Sequence, residues 1–282
     1  MYFDLEYEIR TNPDFRERLL VHLNHTMDHM EAALGDPGET DRYHEHLMSL
    51  MEATNYNTAI FTPYAWPAYP KDQPLFYSDY PFAFQMFQLQ MGGFKVFKGS
   101  RQISKSTSFS CRQLLNARIF RAFRSLYIVP RNDQLETYQN KFREIEKACR
   151  WYRRDSSLRQ NLGYKEFENG AVIEMAYVHQ SAHSIRGKST DELLFDEFQN
   201  FDPDLELEVV QTQSASTMPV TIFAGTSLTT DTALEHKWSI SSQGIWVMEC
   251  GSCGHFNLPL PDHQVMDMIQ PDDPTGELGW SV

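Results

Sequence analysis

From Phe82 onward, short apolar runs alternate with longer stretches in which apolar residues recur at helical spacing. The apolar runs that predict strands are Gly93–Lys98, Ser125–Pro130, Leu193–Asp196 and Pro219–Gly225, and the helical spacing covers Phe84–Gln90, Ser106–Phe123 and Asn132–Arg153. A further segment, Tyr164–Tyr177, carries the turn signal Glu168-Asn-Gly between two strand-like arms and predicts a hairpin. Strands that alternate with helices predict an α/β fold, a mostly parallel sheet with helices on both faces.

The segment before this pattern has a different texture. Asp14–Leu34 has helical spacing that ends at Gly-Asp-Pro-Gly, Arg42–Ala53 predicts a second helix, and Asn55–Tyr80 is rich in proline and aromatic residues. The sequence therefore predicts three parts. These are a helical N-terminal accessory region (1–75), an α/β domain (76–245) and a C-terminal extension (246–282).

Composition limits the class of protein. The chain has 282 residues, of which 41% are hydrophobic, enough for one large domain or two modest ones. No apolar run approaches the roughly 20 residues that span a bilayer, and the acidic start MYFDLEYEIR does not resemble a signal peptide. These features predict a soluble, intracellular protein without a membrane partner, in which Cys111 and Cys149 are reduced packing residues.

The charge is unevenly distributed. The net charge is −13, yet residues 98–165 hold 16 Lys and Arg against 5 Asp and Glu. A basic segment inside an acidic chain can meet a polyanion such as DNA through one face, or it can lie on solvated helix faces and in subunit contacts. Composition alone leaves both interpretations open.

The loop Gly99-Ser-Arg-Gln-Ile-Ser-Lys-Ser-Thr107 nearly matches the phosphate-binding pattern G-x-x-x-x-G-K-[ST]. A predicted strand precedes it and a predicted helix follows, so backbone N–H groups at the helix start would meet phosphates. Lys105 would reach the β- and γ-phosphates, and the hydroxyl of Ser106 would bind Mg²⁺. Ser104 replaces the second glycine, which is tolerable if its dihedral angles are ordinary. The alternative is a serine-rich helix cap with a lysine nearby.

Two further strands end in chemically useful residues. Leu193-Leu-Phe-Asp196-Glu197 is an apolar run followed by two acids, where Asp196 would hold Mg²⁺ and Glu197 would polarise an attacking water. The alternative is a strand that ends in a solvated acidic turn. The last run ends in Gly225-Thr226-Ser227, whose hydroxyl groups could sense a γ-phosphate, and the alternative is an ordinary turn from a strand into a loop. All three sites follow carboxyl ends of strands, where open α/β sheets bind ligands.

Taken in order, these motifs resemble the ATPase domain of the large terminase subunits that package DNA in tailed phages. The resemblance covers roughly residues 80–240. Its motifs are Ser100-Arg-Gln-Ile-Ser-Lys-Ser106, the upstream aromatic-glutamine pair Phe84-Gln85, the element Ile185-Arg186-Gly187, Phe195-Asp196-Glu197, and the coupling motif Gly225-Thr226-Ser227. The resemblance implies a P-loop NTPase fold of the RecA-like, ASCE type.

The resemblance also implies a role for each matching residue, with ATP and Mg²⁺ as cofactors. Gln85 would contact adenine, Arg101 would stabilise charge or sense the nucleotide, and Arg186 would reach the ATP of a neighbouring subunit in a ring. Glu197 would be the catalytic carboxylate, and Thr226 would couple hydrolysis to motion. The residues implied around the nucleotide are Gly99, Ser100, Arg101, Gln102, Ser104, Lys105, Ser106, Thr107 and Asp196.

The chain departs from that family in two respects. Ser104 replaces a glycine, and too few residues follow position 240 for the RNase H-like nuclease domain that large terminases carry. We therefore expect the motor part of a longer protein, without nuclease activity of its own. The implied partners are double-stranded viral DNA, a portal protein, a small terminase subunit and further copies in a homo-oligomeric ring. The implied location is the host cytoplasm during assembly and not the mature virion.

A cysteine pair lies in Glu249-Cys250-Gly-Ser-Cys253-Gly-His255. C-x-x-C-G is the knuckle of a zinc ribbon, and His255 or His263 could complete a Zn²⁺ site. The alternative is two free thiols in a turn.

The function that the sequence predicts is ATP hydrolysis coupled to translocation of DNA into procapsids. The alternatives are another P-loop nucleic-acid motor, such as a superfamily 2 helicase, and a nucleotide-binding scaffold that does not hydrolyse. A helicase would need a second RecA-like lobe, and a scaffold would have no use for Glu197.

Overall fold

A computed structural model gives the fold. It describes residues 8, 11–15, 18, 81–89, 93–101, 103–148, 159–178, 185, 187–245, 247–249, 254, 256–257, 270–271 and 280–281. The chain divides into two compact units, residues 1–241 and 242–282. The N-terminal accessory region lies outside the described residues apart from residues 8, 11–15 and 18, most of which are helical.

A seven-stranded sheet forms the centre of the first unit. In chain order the strands are β1 (Phe94–Lys98), β2 (Arg124–Val129), β3 (Arg159–Asn161), β4 (Tyr164–Glu166), β5 (Val172–Tyr177), β6 (Glu192–Phe195) and β7 (Val220–Gly225). They lie side by side in the order β1-β7-β6-β2-β5-β4-β3. The first five in this order pair in parallel, while β4 and β3 are antiparallel to their neighbours. The carboxyl ends of β1, β7 and β6 therefore meet at one edge of the sheet.

In the described part of the chain from residue 81 onward, helices precede, connect and follow these strands. They are α1 (Pro81–Phe84), α2 (Lys105–Ile119), α3 (Asn132–Ala148), α4 (Pro203–Val210) and α5 (Ala233–Ser239), with 3₁₀ turns at Gln85–Phe87, Phe198–Asn200 and Gln211–Gln213. α2 joins β1 to β2, and α3 follows β2 and leads to the edge strand β3.

Each face of the sheet packs against its own apolar cluster. Strand residues alternate between the two, so Leu194 belongs to one cluster while Leu193 and Phe195 belong to the other. α2 and α3 cover the first face, and α4, α5 and the turn at 198–200 cover the second. The prediction of an α/β fold with helices on both faces is confirmed.

Most predicted elements are present, and the differences have local causes. The helix predicted over Ser106–Phe123 ends at Ile119, because the next residue, Phe120, is extended, and Ala122 then has a positive φ of 56° before β2. The apolar patterns did not reveal α4. Its start was nonetheless readable, because Asp202 caps the helix by accepting from the N–H of Asp204, and Pro203 follows. β3 was missed because it is a three-residue polar edge strand.

A buried ion pair ties α2 to the start of β6. Nε of Arg112 donates to Oε1 of Glu192 at 2.6 Å, and both side chains have 0% of their surface exposed. Asn116 and Ser125 also donate to this carboxylate, at 2.9 and 2.6 Å. Nη1 of Arg112 donates in addition to the carbonyl oxygen of Met86 at 2.7 Å. The pair therefore fastens both the sheet and the segment after α1 to α2.

Lys95 lies beside this pair, and we expect it to make stability depend on pH. Burial, followed by the charge of Arg112, lowers the pKa of Lys95 from 10.5 to about 7, while Glu192 opposes the shift. Between pH 7 and 10.5, Lys95 is protonated in the unfolded chain but largely deprotonated in the folded chain. The free energy of unfolding therefore rises with pH in this range. The slope is at most about 1.4 kcal/mol per pH unit.

The change that tests this is Lys95→Met, which keeps the length of the side chain. It should raise the free energy of unfolding at pH 7. Between pH 7 and 9 this free energy should then depend less on pH than in the unchanged protein. Urea titrations at several pH values measure both quantities. Equal slopes in the two proteins would show that Lys95 keeps its ordinary pKa.

In the second unit, β8 (Met248–Glu249) pairs antiparallel with β9 (Phe256–Asn257), and β10 (Gln270–Pro271) with β11 (Trp280–Ser281). Cys250 and Cys253 lie outside the described residues. Within the part of the chain that the structure describes, no group of three or more His, Cys, Asp or Glu side chains is placed to hold a metal ion, so the zinc site remains a prediction. No described helix is long and apolar enough to cross a membrane.

Candidate functional site

The loop between β1 and α2 wraps around the amino group of Lys105. Nζ of Lys105 donates to the carbonyl oxygen of Ser100 at 2.8 Å and to Oγ1 of Thr226 at 3.2 Å, and it lies 3.5 Å from the carbonyl oxygen of Gly99. The N–H of Gly99 donates to the carbonyl oxygen of Gly225 at 3.1 Å. Lys105 and the segment Gly225-Thr226 at the end of β7 therefore lie in contact.

Desolvation lowers the pKa of Lys105, since only 7% of the residue is exposed. The negative charges of Asp196 and Glu197 oppose that shift. Lys105 is thus a largely buried amino group whose charged form the neighbouring negative groups stabilise.

Ser104 does not meet the condition set for it above. Its φ of 60° and ψ of 23° lie in the left-handed region, where residues with a Cβ are strained. Its side chain makes no capping hydrogen bond to α2, so the alternative of a serine-capped helix is wrong in its physical detail. A glycine would occupy this position without strain, which explains why the phosphate-loop pattern asks for one.

We therefore expect Ser104→Gly to stabilise the chain, in spite of the larger entropy that glycine gives the unfolded state. The expected gain is about 0.5–1 kcal/mol, which is the strain of a left-handed residue less the entropic cost of glycine. Thermal unfolding measures it, and the affinity for Mg-ATP should rise or stay unchanged. A loss of stability together with a sharp loss of affinity would instead reveal a role for the Ser104 hydroxyl.

Asp196, directly after β6, is the centre of the second part of the site. Its Oδ2 accepts from Oγ of Ser106 and from the hydroxyl of Tyr127, each at 2.9 Å, while Oδ1 accepts from the N–H of Glu197 at 3.0 Å. Only 2% of Asp196 is exposed. Burial raises its pKa, against the hydrogen bonds from Ser106 and Tyr127. The arrangement brings a hydroxyl and a carboxylate together as oxygen ligands of the kind that Mg²⁺ prefers.

Tyr127 is a contributor to the site that the motif analysis missed. Burial and the charge of Asp196 raise its pKa well above the ordinary value, so its hydroxyl remains a donor. Its ring stacks on Tyr138 with centroids 3.4 Å apart, and the hydroxyl of Tyr138 donates to Gln113 at 2.7 Å. The available signal was a hydroxyl group inside the apolar run Ser125-Leu-Tyr-Ile-Val.

Glu197 has a left-handed backbone conformation, with φ 55° and ψ 37°. A non-glycine residue held there stores strain of about 1–3 kcal/mol, and such residues concentrate at functional sites. Nε2 of Gln199 donates to Oε2 of Glu197 at 2.6 Å, and Oε1 of the same side chain accepts from the N–H of Thr226 at 3.1 Å. Sequence reasoning did not identify Gln199, which lies with Asn200 between Phe198 and Phe201.

The remaining predicted residues are placed less tightly. Ser100 and Arg101 are exposed in the loop, and Thr107 is buried in the first turn of α2. Gln85 is exposed at the start of the 3₁₀ turn that Arg112 anchors, so its contact with adenine stays a prediction. Gln102 and Arg186 lie outside the described residues.

Part of the basic segment 98–165 is buried inside the protein. Lys105, Arg112, Arg118 and Lys165 are buried, whereas Arg121, Arg124 and Arg131 are exposed. The excess of positive charge within 98–165 therefore overstates the basic surface that could meet DNA.

Comparison with known proteins bears on the whole arrangement. Residues 96–233 match the family model of the N-terminal part of the terminase large subunit of T4-like viruses. Residues 96–233 belong to the terminase large-subunit family. The match runs from β1 to the start of α5 and contains the phosphate loop, Asp196, Glu197 and the coupling motif. The residues of the site just described therefore lie within the matched segment.

One solved structure supports the fold of this terminase domain, and a second similar one is reported beside it. The large terminase of bacteriophage HK97 superposes with a TM-score of 0.52 at 14% identity, over 65% of this chain and 40% of that one. The ATPase domain of the large terminase of Thermus phage P74-26 gives a TM-score of 0.39 at 15% identity, over 48% of this chain and 61% of that one. The chain therefore spans less than half the length of the HK97 terminase. No curated protein matched the sequence.

Proposed function

We propose that this chain binds ATP with Mg²⁺ at the carboxyl ends of β1, β6 and β7 and hydrolyses it. The observation that carries the proposal is the 2.9 Å hydrogen bond between Oγ of Ser106 and Oδ2 of Asp196. The two residues are 90 positions apart and come from the two motifs that bind the metal of ATP in P-loop enzymes. A chance loop and an unrelated acidic turn would have no reason to meet.

The donor set suits the proposed ligands. The N–H groups of the first turn of α2 and the amino group of Lys105 offer positive potential for phosphates. Ser106 and Asp196 offer oxygen atoms for Mg²⁺, and the Tyr127 hydroxyl, a donor to Asp196, orients that carboxylate. When bound, Mg²⁺ neutralises charge that develops on the phosphate oxygens.

The chain's own residues would then perform three tasks. Lys105 exchanges the loop carbonyls and Thr226 for phosphate oxygens, which stabilises their charge. Glu197 lies next to Asp196 and orients a water, accepting a proton from it during attack. The third task is to transmit the change at the phosphates, for which Thr226 is placed, because its hydroxyl contacts Lys105 and its N–H contacts Gln199.

The wider proposal is that the chain is the motor part of a terminase, which couples this hydrolysis to movement of double-stranded viral DNA into procapsids. Family membership of residues 96–233 supports it. The portal protein, the small terminase subunit, a ring of copies that share ATP through Arg186, and action in the host cytoplasm belong to the same proposal. Nuclease activity would reside outside this chain.

The test is binding and hydrolysis of Mg-ATP by the unchanged chain and by Lys105→Met. We expect the affinity of the variant to be about 10- to 100-fold weaker, the effect of losing charged hydrogen bonds. Calorimetry measures the affinity, and Lys147→Met, at an exposed lysine of α3, is the control that should bind normally. Binding of Mg-ATP that does not depend on Lys105 would overturn the proposed site. Tight binding without any hydrolysis would favour a nucleotide-binding scaffold.

A further inference from the structure

Gln199 joins two motifs of the site that the sequence treats as separate. Its amide donates to the carboxylate of Glu197 and accepts from the N–H of Thr226, at 2.6 and 3.1 Å. A carboxylate only accepts and a backbone N–H only donates, so these two partners fix the orientation of the amide. We propose that Gln199 is a positioning residue that holds Glu197 for catalysis by tying it to the end of β7. The inference rests on the proposed function of Glu197.

The backbone around Gln199 is rigid enough for this task. Phe198 and Phe201 pack against each other and against Phe195, with ring centroids 5.3 to 5.5 Å apart. The N–H of Asn200 donates to the carbonyl oxygen of Glu197 at 3.0 Å, which closes the turn. Only 7% of Gln199 is exposed. A buried side chain on an aromatic anchor has few other rotamers, so its amide can hold a strained neighbour in place.

Gly225 gives independent support for the bridge. A Cβ at this position would lie 2.2 Å from Oε1 of Gln199, 3.0 Å from Cδ2 of Leu234 and 3.3 Å from the backbone N of Phe198. The backbone φ of Gly225 lies outside the positive range, so residues with a Cβ could adopt its backbone conformation. Glycine is therefore needed for the close approach of the Gln199 amide and not for an unusual turn.

The bridge also connects the carboxylate to the phosphate loop. Nζ of Lys105 donates to the hydroxyl of Thr226, and the backbone N–H of Thr226 donates to Oε1 of Gln199. Nε2 of Gln199 in turn donates to Glu197. These hydrogen bonds bypass Asp196 and Ser106. The location of Glu197 is thus set relative to the group that meets phosphate, and not only by its neighbour in sequence.

The first experiment measures catalysis in Gln199→Met, which keeps the volume and removes both hydrogen bonds. We expect kcat for Mg-ATP hydrolysis to fall about 10- to 100-fold, as for other residues that orient a reacting group, with an unchanged Kd for Mg-ATP. The matched control is Gln213→Met. Gln213 is also 7% exposed, and it donates to the carbonyl oxygens of Asp191 and Val220, at the opposite end of the sheet.

Gln213→Met should lower the Tm while its kcat stays that of the unchanged chain. A normal kcat in Gln199→Met, or an equal loss in kcat and in affinity, would overturn the positioning role. Absence of hydrolysis in the unchanged chain would instead remove the proposed function itself. The two failures are therefore distinguishable.

The second experiment tests the bridge without turnover. Gly225→Ala should lower the Tm by several degrees, because the new methyl group meets the Gln199 amide. In a Gln199→Ala background the same change should lower the Tm much less, since contacting residues are not additive. Equal shifts in the two backgrounds would show that the amide does not approach Gly225 in solution, and the inference would fall.

Discussion

Glu197→Gln is expected to lower the rate of Mg-ATP hydrolysis by about 10²- to 10⁴-fold, the usual contribution of a general base. Glutamine has the shape of glutamate and can still accept the hydrogen bond from Gln199, so the turn at 198–200 should keep its structure. It cannot take a proton from water. The affinity for Mg-ATP should remain that of the unchanged chain, because the proposed phosphate and metal ligands are Lys105, Ser106 and Asp196.

Phosphate release measures the rate, and calorimetry in the presence of Mg²⁺ measures the affinity. Glu144→Gln is the control, because Glu144 is an exposed glutamate of α3. This variant should hydrolyse ATP at the rate of the unchanged chain. If Glu197→Gln retained the full rate, a different group would have to activate the water. The assignment of Glu197 would then be wrong even though the nucleotide site stood.

Arg112→Met should destabilise the chain by about 3–5 kcal/mol, because it leaves the carboxylate of Glu192 buried without its cation. Asn116 and Ser125 would still donate to Glu192, but neither carries charge. The change also removes the donor to Met86, which anchors the turn that holds Gln85. Urea unfolding measures the loss, and the affinity for the adenine part of ATP should fall with it if Gln85 contacts the base.

The double variant Arg112→Met/Glu192→Gln should recover much of this loss, since position 192 then carries no negative charge that lacks its cation. Arg131→Met is the matched control, because Arg131 pairs with Asp133 at 3.1 Å while both side chains are more than half exposed. Its expected effect is below about 1 kcal/mol. Similar losses in Arg112→Met and Arg131→Met would show that water reaches the pair at Glu192.

The sequence predicted the sheet and the location of the site because both depend on local patterns. Apolar runs such as Leu193–Phe195 form buried parallel strands, and residues that follow such strands meet at one edge. That reasoning brought Lys105, Ser106, Asp196 and Thr226 together without knowledge of distances. The order of motifs then indicated the family, which residues 96–233 confirmed.

What the sequence did not predict depends on contacts between distant residues. The hydroxyl of Tyr127 and the amide of Gln199 reach the site through side-chain directions that no spacing rule encodes. The left-handed conformation of Ser104 is likewise a property of how the loop closes on Lys105, and a serine in a pattern does not reveal it. Gly225 was identified as part of a motif, but the reason for a glycine there emerged only from the position of the Gln199 amide.

The helix α2 and the strand β6 are fastened to each other at both ends. Ser106 bonds to Asp196 at one end, and Arg112 and Asn116 bond to Glu192 at the other. The helix from Ser106 to Asn116 is about 15 Å long and the strand from Glu192 to Asp196 about 13 Å. The two bonded stretches are therefore of similar length. When force acts on the domain, the loop before α2 and the carboxylate of Asp196 should therefore move together. The neighbouring strand β7, which leads to Thr226, lacks this double connection to α2, so a relative movement within the site would involve β7.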